Sequence, residues 1–447
     1  MHRFSRIFLA FFCIFIGIAH ADVYDPAYYN SQQYFHKEEI IENNFFPVMR
    51  LSELIDGYKA NMGAQGQNNK YVNIEISQDD WKEFMTHYFS DKRFLDIADF
   101  PMKATFSHGD GSSEIINGSM RHRGNYSTRS LKAGFRVELN RAIQHGVFKD
   151  DTQIAFRHLV FDASGINEFV YYQAWDSLHT DLLGFTPLVP STDYYWVFIN
   201  GKLYGYYLAL NDSKPELLKK RGEVFDPAND CLIKAKVWAA DESADMHYSS
   251  LYDTLEGFEK IYVIEGGNHE KCYQEVTQMM QDLDNGHAEN VLSKFRDPKQ
   301  IAYQARFVDK TGNKTGVHQN YILLKHNKLW EISPWDADMS FDSKYTFGLR
   351  FLSENALFSA ALSRYPETLP ANLDENISKL FYAATAAYID QIRIDRKIWS
   401  RYLPKRDSHI SDKYIQYIDP EYQPDSIDAI VLELVHATYQ NILSSLF

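Results

Sequence analysis

The stretch Asn320-Tyr-Ile-Leu-Leu-Lys325-His-Asn-Lys328-Leu-Trp-Glu-Ile-Ser333-Pro-Trp335-Asp336-Ala-Asp338 sets the reading of this chain. Tyr321 to Lys325 and Leu329 to Ser333 are apolar-rich runs joined by a His326-Asn327-Lys328 turn, which predicts a β-hairpin. Asn320 precedes it, and two carboxylates two residues apart, Asp336 and Asp338, follow it. An amide and acids in this order suit Mg²⁺, which takes oxygen ligands and is usually held by one or two carboxylates plus phosphate oxygens. The run therefore points to a nucleotide-dependent phosphoryl transferase. The plainer alternative for Asp336 and Asp338 is a turn closed by its own Asx hydrogen bonds.

Outward from the hairpin, the chain divides by pattern. Arg3 and Arg6 precede an apolar run from Ile7 to Ala19, and Ala19-His20-Ala21 gives a small-x-small cleavage site. A run this short does not span a bilayer, so residues 1–21 are expected to be a secretory signal peptide, and the mature chain to be secreted or in the cell envelope. Removing the leader takes two arginines, moving the formal charge from −14 to about −16. An acidic surface argues against nonspecific nucleic-acid binding. Apart from the leader, no apolar segment is long enough for a transmembrane span. Cys13 leaves with the leader, and the two remaining thiols, Cys231 and Cys272, are free to pair or to stay reduced.

Residues 22–68 read as a polar, Tyr-rich N-terminal extension. Tyr71 to Ser77 alternates as a strand, and Ser77 is placed to cap a helix opening Gln78-Asp79-Asp80-Trp81. Phe100 to Phe106 and Glu114 to Arg123 alternate around a His108-Gly-Asp-Gly111 turn, and Gly134 to Leu139 closes an antiparallel set. Residues 165–184 read as a helix with Tyr172 among its inward positions. Tyr194 to Ile199 and Leu203 to Leu208 flank Asn200-Gly201, the strongest short-range hairpin signal. From about residue 240 the pattern is mostly helical except for the hairpin above, and residues 401–447 form a helical C-terminal extension. A β-rich N-terminal half and a helix-rich C-terminal half define an α+β, two-lobed enzyme.

A second polar cluster comprises Arg121-His122-Arg123-Gly124-Asn125-Tyr126-Ser127-Thr128 and Lys132. Arg and Lys supply the charge-assisted donors that polyphosphate needs. Lys132, Gly134, Arg136 and Glu138 share one strand face, so Lys132 and Arg136 are expected to enter a cleft together; a solvated basic edge strand is the alternative.

The order of these pieces resembles the CotH family of spore-coat-protein-H-like atypical protein kinases. The series is Arg-x-Arg-Gly-Asn-x-Ser from Arg121, Phe135-Arg136-Val137, the Asn200-Gly201 hairpin, Leu232-Ile-Lys234-Ala, Gln319-Asn320-Tyr321 and Pro334-Trp335-Asp336-x-Asp338. It runs from about residue 70 to about residue 400, where Ile394-Asp395-Arg396 suits the closing helices. The resemblance implies a two-lobed atypical protein-kinase-like fold over 69–400. It further implies that ATP and Mg²⁺ or Mn²⁺ serve to phosphorylate a hydroxyl of an exported or surface protein.

Carried over, Lys132 matches the phosphate-pairing lysine, with Arg121, Arg123 and Arg136 beside the nucleotide. Asn320 and Asp336 match the metal ligands, and Asp338 is the second acid of that motif. Two positions depart from the family: Thr315 stands where the family has its catalytic Asp, and Asn211 where it often has Glu. A threonine hydroxyl does not take up a proton at neutral pH as a carboxylate does. The expectations are thus a kinase of reduced activity or a nucleotide-binding pseudokinase acting as an interaction protein. Asp309, Asp212 and Glu216 are the acids available to stand in spatially, and His318 is either a site residue or a structural imidazole bonded to a nearby loop. No zincin, Gly-x-Ser-x-Gly or Walker motif is present.

Overall fold

A computed structural model describes residues 70–400, except 89–97, 124–131, 159–164, 183–185, 212–216, 219–220, 237–242, 314, 338–339, 342–351, 353 and 367–368. The expected leader (1–21), the expected terminal extensions (22–68 and 401–447) and Asp338 lie outside the described residues.

The first half opens with β1 (Lys70–Glu75), α1 (Gln78–Tyr88), β2 (Phe100–His108), β3 (Ser113–His122), β4 (Phe135–Leu139) and β5 (Gln153–Arg157). After α2 (Asn167–Leu182) come β6 (Thr192–Ile199) and β7 (Lys202–Asn211). These strands close a barrel in the order β1-β2-β3-β4-β5-β7-β6, sealed by parallel pairing of β1 with β6. Local chemistry sets the joints. The Ser77 hydroxyl accepts the Asp80 N–H at 3.0 Å, the N-cap expected for α1. Asn200 and Gly201 both have positive φ, 52° and 75°, the turn whose twist matches a hairpin.

Side-chain alternation gives the barrel two cores. Val72, Ile74, Phe106, Val137, Phe156, Val197 and Tyr207 fill the interior. The outward residues Tyr194, Trp196 and Phe198 of β6 pack instead against Val170 and Trp175 of α2. Strand β6 is therefore buried on both faces.

The second half contains β8 (Cys231–Ala235), α3 (Leu255–Ile261), β9 (Tyr262–Gly267), α4 (His269–Asp284), α5 (Ala288–Leu292) and α6 (Lys299–Lys310). It continues with α7 (Thr315–His318), β10 (Tyr321–His326), β11 (Leu329–Pro334), α8 (Ala356–Arg364) and α9 (Leu373–Ser400). The strands form a four-stranded sheet ordered β11-β10-β8-β9. One face packs on helices through Ile233, Leu323, Val276 and Phe358. From the other, Leu232, Ile322 and Leu324 meet Ala155 and Leu210 of the barrel, with Trp335 completing that cluster. A Cys231–Cys272 disulfide ties β8 to α4 with Cα atoms 5.6 Å apart, deciding between the two states that the sequence left open. Gly267 has φ +105°, and a Cβ there would stand 2.3 Å from Asp230 O and 2.9 Å from Cys272 Sγ. Only glycine fits beside the bridge.

The α+β class and the β-rich first half match the sequence reading, and the first sheet is a closed barrel. Three strands add to that reading. β5 and β8 have burial on both faces and no period-2 signal, while β9 ends in two glycines inside a region expected to be helical.

Candidate functional site

The β10–β11 hairpin places its flanking polar residues side by side. Tyr321 pairs with Pro334, so Asn320 immediately before β10 lies opposite the chain leaving β11. Trp335 N–H donates to Asn320 O at 2.8 Å, adding a rung beyond the named strands, and Asn320 N–H donates to Ala235 O at 2.9 Å. The Asn320 side-chain amide donates to Asp336 O at 3.4 Å. Both residues have left-handed backbones, φ 60° for Asn320 and 56° for Asp336, a conformation that Asn and Asp tolerate better than other non-glycine residues. Asp336 holds this conformation with its N–H donated to the Tyr172 hydroxyl at 2.9 Å.

The barrel supplies the facing charges. Ile154 and Phe156 point inward, so Ala155 and Arg157 project from the outer face of β5 toward the second sheet. Arg157 donates to an Asp336 carboxylate oxygen, and its other terminal nitrogen lies 3.2 Å from Glu168 Oε1, at the start of α2. Lys234 follows Leu232 on the barrel-facing side of β8, with its amine 4.4 Å from the Trp335 ring centre. The Arg123 guanidinium lies 5.6 Å from the same ring, so one indole gathers two cations beside Asp336. Burial pushes the Asp336 carboxyl up, but Arg157, Arg123 and Lys234 outweigh it and hold the group below its ordinary value. The side chain keeps 38% exposure, so an ionised carboxylate faces an accessible site.

Among the residues expected from sequence, Asn320, Asp336 and Arg123 come together here. Arg121 and Arg136 are cross-strand partners, and Arg136 is opposite Ala155, which places both on the outer barrel face that carries Arg157. Arg121 lies 3.8 Å from Asp99 and 3.7 Å from Glu138. Lys132 precedes β4 and is buried: its amine donates to Tyr206 O at 2.5 Å and to Asp395 at 2.7 Å, over the Tyr207 ring. Its amine is thus bound to a carboxylate of α9, whereas the guanidinium at Asp336 is that of Arg157.

The family's variant positions are also placed. Thr315 opens α7, and Asn211 is tied to Ser191 N–H at 2.7 Å and to Asp151, a bracing role at the end of β7. His318 pairs with Glu354 at 3.1 Å, Asp309 lies on α6, and Asp212 and Glu216 are outside the described residues.

Sequence reasoning missed Arg157, Glu168 and the roles of Lys234 and Tyr172. Lys234 had a signal, since it stands in a quoted motif; Arg157 and Glu168 meet only because the barrel closes. Among the described residues no three His, Cys, Asp or Glu side chains cluster as a metal site. One carboxylate with one amide nevertheless fits the minimal protein share of a Mg²⁺ site completed by phosphate oxygens. Among the described residues, Arg157, Arg123 and Lys234 gather their positive charge about Asp336.

The profile of the family described as CotH kinase protein matches residues 120–378, more than half of the chain. The chain belongs to the CotH kinase protein family. No curated protein matches it.

Proposed function

We propose that this chain is an exported, kinase-like phosphotransferase that passes the γ-phosphoryl group of ATP to a hydroxyl of a secreted or surface protein. The meeting of Asn320 and Asp336 at the open end of one hairpin, beneath the basic barrel face bearing Arg157, carries this reading. The barrel with α2 is then one lobe of a two-lobed kinase-like fold, and the second sheet with its helices is the other. Asn320 and Asp336 would hold Mg²⁺ or Mn²⁺, an ion that neutralises charge on the phosphate oxygens. Arg157, Arg123 and Lys234 would grip the phosphates. The Cys231–Cys272 bridge supports export, because disulfides persist in oxidising compartments.

Thr315 favours a second reading, a nucleotide-binding pseudokinase that acts by recognising a partner. Losing a general base typically costs about 10²–10⁴-fold, while phosphoryl transfer depends mostly on positioning and charge stabilisation, so a slow enzyme is the reading adopted. Incubation with γ-labelled ATP and Mn²⁺ decides. Wild type should label slowly, Thr315→Asp should label far faster, and Asp336→Ala should not label while remaining folded. Wild type that shows a Mn²⁺-ATP thermal shift but no labelling, with no gain in Thr315→Asp, would select the pseudokinase.

A further inference from the structure

We infer that Tyr172 is a positioning residue for the metal-binding carboxylate of Asp336, an assignment resting on the reading above. Its hydroxyl accepts the Asp336 N–H at 2.9 Å, where the backbone takes φ 56°. A left-handed aspartate returns readily to the right-handed or extended regions unless a contact holds it, and the backbone conformation decides where its carboxylate points.

Tyr172 suits that task. The ring is fully buried in the core between α2 and the barrel, so its hydroxyl has a fixed place. It stands one helical turn after Glu168, on the same face of α2. Glu168 pairs with Arg157, and Arg157 donates to the Asp336 carboxylate. One face of α2 therefore governs Asp336 twice, through its amide by Tyr172 and through its side chain by the Glu168–Arg157 pair. Tyr171 provides a built-in contrast: it is equally buried, but its hydroxyl makes no hydrogen bond to Asp336.

The test compares Tyr172→Phe with Tyr171→Phe in the full chain. Hydrogen exchange of the metal-free protein reads the Asp336 amide, and Mn²⁺ binding is followed by electron paramagnetic resonance. Tyr172→Phe should speed exchange at Asp336 and weaken Mn²⁺ binding by about 10–100-fold, the usual effect of losing a group that orients a metal ligand. Tyr171→Phe should leave both unchanged. Unaltered exchange and Mn²⁺ affinity in Tyr172→Phe overturn the inference, as does an equal loss in Tyr171→Phe. Wild type that binds no Mn²⁺, with or without ATP, instead brings down the metal-site reading on which the inference stands.

Discussion

A buried carboxylate stays charged only where donors surround it, and Glu114 shows the requirement away from the site. It accepts from Gln144 N–H at 3.0 Å, from Arg141 at 2.9 Å and meets His108 Nε2 at 2.9 Å. Burial pushes its pKa up, but these three partners outweigh burial and hold it below the ordinary 4.5. The unfolded chain therefore takes up the proton first as pH falls. The stability that Glu114 provides is complete above pH 4.5 and is lost as pH drops through the folded value. Glu114→Gln should cost about 2 kcal/mol at neutral pH, since bonds to a charged group are removed. Denaturant titrations of the variant should also show a smaller fall in stability below that pH than wild type does. An acid limb identical to wild type would show that Glu114 is not a source of it.

At the scale of elements, Lys132 and Asp395 join three pieces of chain. Strand β5 ends at Arg157, opposite Leu208, so its ladder with β7 stops short of Tyr206. Asp395 accepts the Tyr206 N–H at 2.7 Å and Lys132 donates to the Tyr206 carbonyl, so the ion pair replaces the missing rung while fastening α9 to the barrel. Removing one partner leaves the other buried and unpaired, which typically costs about 3–5 kcal/mol. Lys132→Met and Asp395→Asn should each lower the denaturant midpoint strongly, and Lys132→Met/Asp395→Leu should recover much of the loss. Additive losses in the double variant would exclude the latch. This contact also marks where sequence reading stopped. Alternation in β2 and β3 and the Asn200-Gly201 turn are local signals, and they were legible. The meeting of Asn320 with Asp336 was legible as well, because a single hairpin joins them. Arg157, Glu168 and Asp395 act through contacts made only when distant segments close, and no local pattern encodes those.

For the molecule as a whole, stability is tied to the redox state of its surroundings. The Cys231–Cys272 bridge spans a sequence separation of 41, and chain-entropy arguments put its contribution at about 4 kcal/mol. Both cysteines are fully buried, so Cys231→Ala/Cys272→Ala should unfold at markedly lower denaturant and should no longer respond to reductant. An unchanged midpoint would mean that the bridge adds nothing to the helix and sheet contacts around it. The barrel bears on a separate hazard. Its seven strands close on themselves and leave no rim for a neighbouring molecule to extend. In the second sheet, β11 has its outer side engaged at Trp330 by Lys294 and Arg296. Strand β9, at the opposite margin, has no further described ladder and finishes in Gly266-Gly267. Of the described strands, β9 is thus the one along which a second molecule would pair, and Val263→Lys should then lower light scattering on warming.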